Sequence, residues 1–132
     1  MTSGYSGTPL AKKLNLKEGM RVWFSDIPDS VRAEIDLALS VEELPSQGVN
    51  AVHLFVTRRA DLERHLANLR HLIDPNGFVW VSWPKKAAKM QTDITEDTIR
   101  DVALPDGWVD IKVCAVDRTW SGLKLVIRKE LR

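Results

Sequence analysis

A single cysteine, Cys114, in 132 residues leaves no intramolecular disulfide and no thiolate zinc site to be built from this chain. The three histidines, His53, His65 and His71, have no metal-ligand spacing either. Charge of one sign is not in excess: 19 basic against 18 acidic residues gives a net charge of +1. A dedicated nucleic-acid binder usually carries a strong basic surplus, so no nucleic-acid partner is expected. No apolar run approaches the roughly 18 residues of a membrane span, and no secretory leader pattern opens the sequence; no membrane association and a cytoplasmic location are expected. There is no internal repeat and no low-complexity tract.

What is present is an ordinary globular composition, 44% hydrophobic and 28% charged, in a length that buries one core unaided. A single domain spanning residues 1–132 is expected, with residues 1–8 as a flexible or loop-forming arm. Residues 49–84 organise the rest. They read as a strand (VNAVHLFV), a helix (RRADLERHLANLRHLI), a tight turn (Asp74-Pro75-Asn76-Gly77) and a strand (FVWVSWP). Leu62, Leu66, Leu69 and Ile73 form an apolar stripe at helical period. The flanking runs are apolar on nearly every residue, as parallel strands covered on both faces are. The unit is therefore a right-handed parallel crossover.

Upstream, Thr8-Pro9 fits a helix N-cap and first position before a short helix (PLAKKLNL). A strand (RVWFSD) follows, then a helix (VRAEIDLAL) capped by Ser30 with Val31, Ile35 and Leu39 inward. Downstream, Thr95 caps a helix that ends at Pro105-Asp106-Gly107. The last quarter (DIKVCAVD, RTWSG, LKLVIRK) is an antiparallel hairpin, with Ile111, Val113 and Ala115 on one side. The fold class is α/β: a Rossmann-like mixed sheet of about five strands in order 1-2-3-5-4, with about four helices. That order puts three crossover helices on one face and only the N-terminal helix on the other. The undercovered face calls for the N-terminal arm or a second subunit, so a homodimer is expected.

Loops carry the chemically suggestive residues. Lys85, Lys86 and Lys89 follow the end of a central strand, the edge where open α/β sheets bind ligands, though they also suit a solvated loop. Ser6 and Thr8, with Gly7, can offer hydroxyls and N–H groups to an anion, or simply tether the terminus. Tyr5, Trp83 or Trp120 can supply a stacking wall. Asp93 and Asp117 are the nearest candidates for a base, but no nucleophile–base pair is visible; Ser121-Gly122 is far from a nucleophile elbow. His53 in mid-strand and Cys114 read as packed core groups. The anion-candidate set is Tyr5, Ser6, Thr8, Lys85, Lys86, Asp93 and Trp120, with no cofactor and no catalytic residue assigned. The reading is a non-enzymatic binder of a small phosphate- or nucleotide-like anion. A tryptophan-rich protein–protein module or homodimeric regulatory protein, and an enzyme of unidentified reaction, stay open beside it.

The segment LANLRHLIDPNGFVWVSW, followed by a terminal hairpin, resembles the second half of class I methyltransferase domains. That resemblance implies a glycine-rich loop after the first strand, for close approach to S-adenosylmethionine. The corresponding residues, Phe24-Ser25-Asp26-Ile27-Pro28-Asp29-Ser30, contain no glycine, and no strand for the ribose-binding acid is apparent. Methyl transfer is not expected. The motifs SGYSGTPLAKKL, GMRV, WVSWPKK, TD-x-TED and KVCAVDxTWSGLK resemble an uncharacterised family of small bacterial proteins. This implies the same fold and a bacterial origin, and assigns no reaction.

Overall fold

Six strands form one mixed sheet in the computed structural model, which describes residues 7–132. The helices are α1 (Leu10–Lys13), α2 (Asp29–Ile35), α3 (Arg59–Leu69) and α4 (Glu96–Ala103). The strands are β1 (Arg21–Ser25), β2 (Ser40–Glu42), β3 (Val49–Phe55), β4 (Ile73–Pro84), β5 (Trp108–Ala115) and β6 (Trp120–Ile127). Their order is β2-β1-β3-β4-β6-β5, parallel through β4 and antiparallel beyond it. The five strands read from the sequence keep the order expected of them. The sixth, β2, is three residues long and pairs with β1 at the sheet edge.

That short strand changes which face α2 occupies. The crossover β1-α2-β2 runs in the opposite direction to β3-α3-β4, and two right-handed crossovers of opposite direction place their helices on opposite faces. Accordingly Val31 and Ile35 of α2 join Leu10 and Ala11 of α1, and Leu14 just after it, in one core over Ala51, Phe55, Phe78 and Trp80. Leu62, Leu66 and Leu69 of α3 and Ile99 and Ala103 of α4 pack on the other side, over Val52, Leu54, Val79, Val81, Leu123 and Leu125. The expectation of three helices on one face is thus corrected, and with it the premise that an undercovered face needs a second subunit.

The segment Asp74-Pro75-Asn76-Gly77 is not a turn that stops a helix. Helix α3 ends at Leu69, and Ile73 already belongs to β4, paired with Val49. The next pair is Ala51 with Phe78, so two residues of β3 face five of β4, and the surplus bulges. Asp74 Oδ1 accepts the Asn76 N–H at 2.8 Å inside the bulge. A Cβ on Gly77 would stand 2.5 Å from the Asn50 carbonyl oxygen, so only glycine fits there.

Helix α2 stops at Ile35 because Asp36 turns left-handed (φ 45°), and Leu39 reaches the core from the connection instead. Its N-cap position is held by Pro28 rather than Ser30, and that of α1 by Pro9 rather than Thr8. At α4 the cap is as read: Thr95 and Thr98 exchange side-chain and backbone hydrogen bonds. The Trp80 indole N–H donates to the Leu14 carbonyl at 2.9 Å, fastening the end of α1 to the sheet. Trp80 and Trp108 are fully buried, while Trp23, Trp83 and Trp120 are partly exposed. No helix among the described residues is long and apolar enough to cross a membrane.

Candidate functional site

The carboxyl ends of β3 and β4 are closed over by residues 85–95. The Lys85 N–H donates to the Thr119 carbonyl at 2.7 Å, joining the end of β4 to the β5–β6 turn. A 3-10 turn (Lys86–Ala88) and a left-handed Lys89 (φ 54°) then reverse the chain. Thr92 Oγ1 and the Asp93 N–H both donate to the Thr57 carbonyl, at 2.7 and 3.2 Å, and Ile94 plugs into the α3/α4 core. Between this loop and the strand end lies a pocket of about 470 Å³ lined by Trp83, Pro84, Lys85, Lys86, Met90, Thr92, Ile94, Thr95 and Glu96. It combines an apolar wall, two ammonium groups and two hydroxyls. Glu96 at its rim is paired with Arg100.

The sequence-nominated residues do not all meet there. Lys85 and Lys86 do, beside Trp83. Asp93 lies next door, lining a polar pocket of about 520 Å³ with Thr57, Arg58, Gln91 and Thr92. Its carboxylate accepts the Arg59 N–H at 2.7 Å and so caps α3 from 34 residues away. Trp120 is on the opposite face, edge-on to Phe55 with ring centres 5.2 Å apart. Thr8 precedes α1 and does not line the lysine pocket. Tyr5 and Ser6 lie outside the described residues. Asp117, the other candidate base, accepts the Thr119 and Trp120 N–H groups, each at 2.8 Å, and shapes the hairpin turn.

A nucleophile–base pair that the sequence hides does exist. His53 Nε2 and Ser82 Oγ are 2.6 Å apart on neighbouring strands. Gly122, paired with Ser82 on β6, leaves room for the neighbouring core: a Cβ there would press on Trp80 and Val116 at 3.2 Å. His53 is 2% exposed and Ser82 0%, with the imidazole stacked on Phe55 at 4.3 Å. Burial pushes the imidazole down to about 3, so it stays neutral. With no access to solvent, the pair is a packed polar contact rather than a reactive dyad. Its trace in the sequence is the His53 position itself, on the same strand face as Ala51 and Phe55. Cys114 is half-buried, and burial raises its thiol despite Lys13 and Lys112 nearby. No cluster of metal-ligating side chains occurs among the described residues.

The methyltransferase resemblance is tested at the switch point between β1 and β3. A strand does stand where the ribose-binding acid would be carried: β2 ends at Glu42, which corrects the expectation that it is absent. The carboxylate is already committed, however. It accepts from Arg21 Nε at 2.7 Å and from Ser46 N and Oγ at 3.2 and 2.8 Å, and Arg21 leads in holding it below its ordinary value. After β1, Asp26 takes the left-handed position (φ 55°) and Pro28, which has no N–H, precedes α2. Phe24, Ile27 and Arg32 line a pocket of about 490 Å³ there with Val41, Glu42 and Glu43, Arg32 lying over the Phe24 ring. With no glycine after β1 and the Glu42 carboxylate already engaged, the residues of this pocket do not fit S-adenosylmethionine.

Comparison with solved structures gives the fold. The chain superposes on a SAM-dependent methyltransferase from Aquifex aeolicus with TM-score 0.63, 16% identity, and coverage of 88% of this chain and 86% of that one. For a putative type 11 methyltransferase from Sulfolobus solfataricus the values are 0.61, 14%, 91% and 90%. The complex of LepI with SAM matches at 0.58 and 12%; 96% of this chain is covered, but it spans only 41% of LepI. At these identities the likeness is one of fold. A search of curated proteins finds no match. The model of one family, described as "Protein of unknown function (DUF3052)", matches residues 11–129, and the chain belongs to that family.

Proposed function

We propose that this protein binds a small anionic ligand, phosphate- or nucleotide-like, at the carboxyl end of β4, without catalysing a reaction on it. The carrying observation is that Lys85 and Lys86 share one pocket with Trp83 at the sheet's ligand-binding edge. The ammonium groups take the charge, and the indole offers a flat face to an apolar or aromatic body. Binding rather than catalysis is supported by the carboxylates nearest the pocket: Glu96 at its rim is paired with Arg100, and Asp93 beside it accepts the Arg59 N–H. A thermal-shift screen with nucleotides, phosphosugars and S-adenosylmethionine tests the reading. A ligand at about 100 times its Kd adds roughly 2.7 kcal/mol of stability. The expected result is a shift with a nucleotide or phosphosugar that Lys85→Ala with Lys86→Ala abolishes. A shift that survives the double substitution contradicts the site.

A protein partner, or a second copy, along β5 is the second reading. Ile111 and Val113 are 54% and 51% exposed on that edge strand. Sedimentation of the protein with and without Val113→Lys tests it; a monomer at every concentration contradicts the homodimer.

A further inference from the structure

We propose that Lys13, Lys112 and Lys124 form a second site, for a compact multivalent oxyanion of the phosphate class, between α1 and the β5–β6 hairpin. Lys112 and Lys124 are register partners on adjacent antiparallel strands, so both side chains rise from the same face. Like charges directly opposite one another repel, and nothing in the strand pairing requires two lysines there. Lys13 comes down onto them from α1. Its Nζ donates to the Ala115 carbonyl at 2.8 Å, and Lys112 Nζ donates to the Lys13 carbonyl at 3.2 Å. Lys124 Nζ donates to Asn15 Oδ1 at 2.9 Å and lies 4.4 Å from the centre of the Phe78 ring.

Every acceptor in this cluster is neutral. The six ion pairs among the described residues all belong to arginines, and none involves these three lysines. The other titratable group against them is the Cys114 thiol, itself raised by burial. Burial and Lys112 both lower Lys124, the mark of a cation without a counter-charge. Carbonyl contacts to the end of α1 explain how the ammonium groups are held, but not why three share one place. Lys12 and Lys17 add to the field around Asn15, where they line a shallow pocket with it. The three lysines come from three elements grouped about the end of α1 instead of lying along one strand or helix, which suits a small oxyanion better than an extended polyanion.

Inorganic pyrophosphate is the probe, titrated at constant ionic strength into the whole protein while Tm is followed. The expected result is saturable stabilisation that is unchanged in Lys85→Ala with Lys86→Ala, and about tenfold weaker in Lys112→Gln. Lys124→Gln gives the same weakening. Lys112 is exposed, so its replacement leaves the fold intact, and without pyrophosphate it raises Tm by relieving the repulsion. Equal pyrophosphate responses in the parent and both glutamine variants overturn the proposal. Loss of the response only in the Lys85 and Lys86 double variant also overturns it, and assigns the anion to the β4 pocket instead.

Discussion

The two faces of the sheet are built from different materials. Under α3 and α4 the strands present mainly aliphatic residues, Val52, Leu54, Val79, Val81, Leu123 and Leu125, against three leucines of one helix. Under α1 and α2 they present Phe55, Phe78, Trp80, Trp120 and the sealed His53–Ser82 pair, with three lysines at the margin. The first face gains its stability from area removed from water, which any close-packed aliphatic set supplies. The second must satisfy polar groups at fixed places, through Trp80 to Leu14, Lys124 to Asn15 and His53 to Ser82. One face is a scaffold that tolerates aliphatic exchange; the other constrains identity.

The largest effect sharpens the scaffold side. Leu66→Ala, at a fully buried position of α3, costs about 2–5 kcal/mol in urea unfolding, while Leu66→Met costs less than about 1.5 kcal/mol. On the opposite face, acid separates the two kinds of core. His53 has a folded value near 3 against an ordinary 6.5, so the unfolded chain binds the proton first. The contribution is complete above about pH 6.5 and is lost progressively as pH falls towards 3. His53→Gln removes that part of the slope; an unchanged pH profile breaks the comparison. Gly77→Ala, in the bulge, forces a Cβ onto the Asn50 carbonyl and lowers stability by about 1–3 kcal/mol. The smallest effect is Asp93→Ala, which removes the cap on α3 and lowers stability by about 1 kcal/mol, with the affinity of the Lys85 and Lys86 pocket unchanged.

The scaffold was legible in the chain because burial on both sides of β3 and β4 leaves unbroken apolar runs, and the α3 stripe has helical period. Strand β2 was not. Ser40, Val41 and Glu42 are too few to show a period, and their pairing depends on the neighbouring β1. Missing three residues reversed the face assigned to α2. Pro75 and Gly77 were misread for a physical reason: the residues that make turns also make bulges, and only the approach of Asn50 distinguishes the two. At the candidate site, Trp83, Lys85 and Lys86 are close in sequence and therefore travelled together. Asp93 and Asp117 looked available as bases because backbone N–H partners leave no mark in a sequence. The lysine pair on β5 and β6 depends on a register that a bulge between Asp110 and Lys112 resets.

The measurement that tests the central claim most directly is a titration of adenosine monophosphate into ¹⁵N-labelled protein, followed through the five tryptophan indole N–H signals and the backbone amides. The account predicts that the Trp83 indole and the amides of residues 85–96 move together and saturate, while the signals of Phe24, Ile27 and Glu42 stay still. Movement at Phe24, Ile27 and Glu42 instead, or no saturable movement in the 85–96 loop with any nucleotide or phosphosugar, would contradict it.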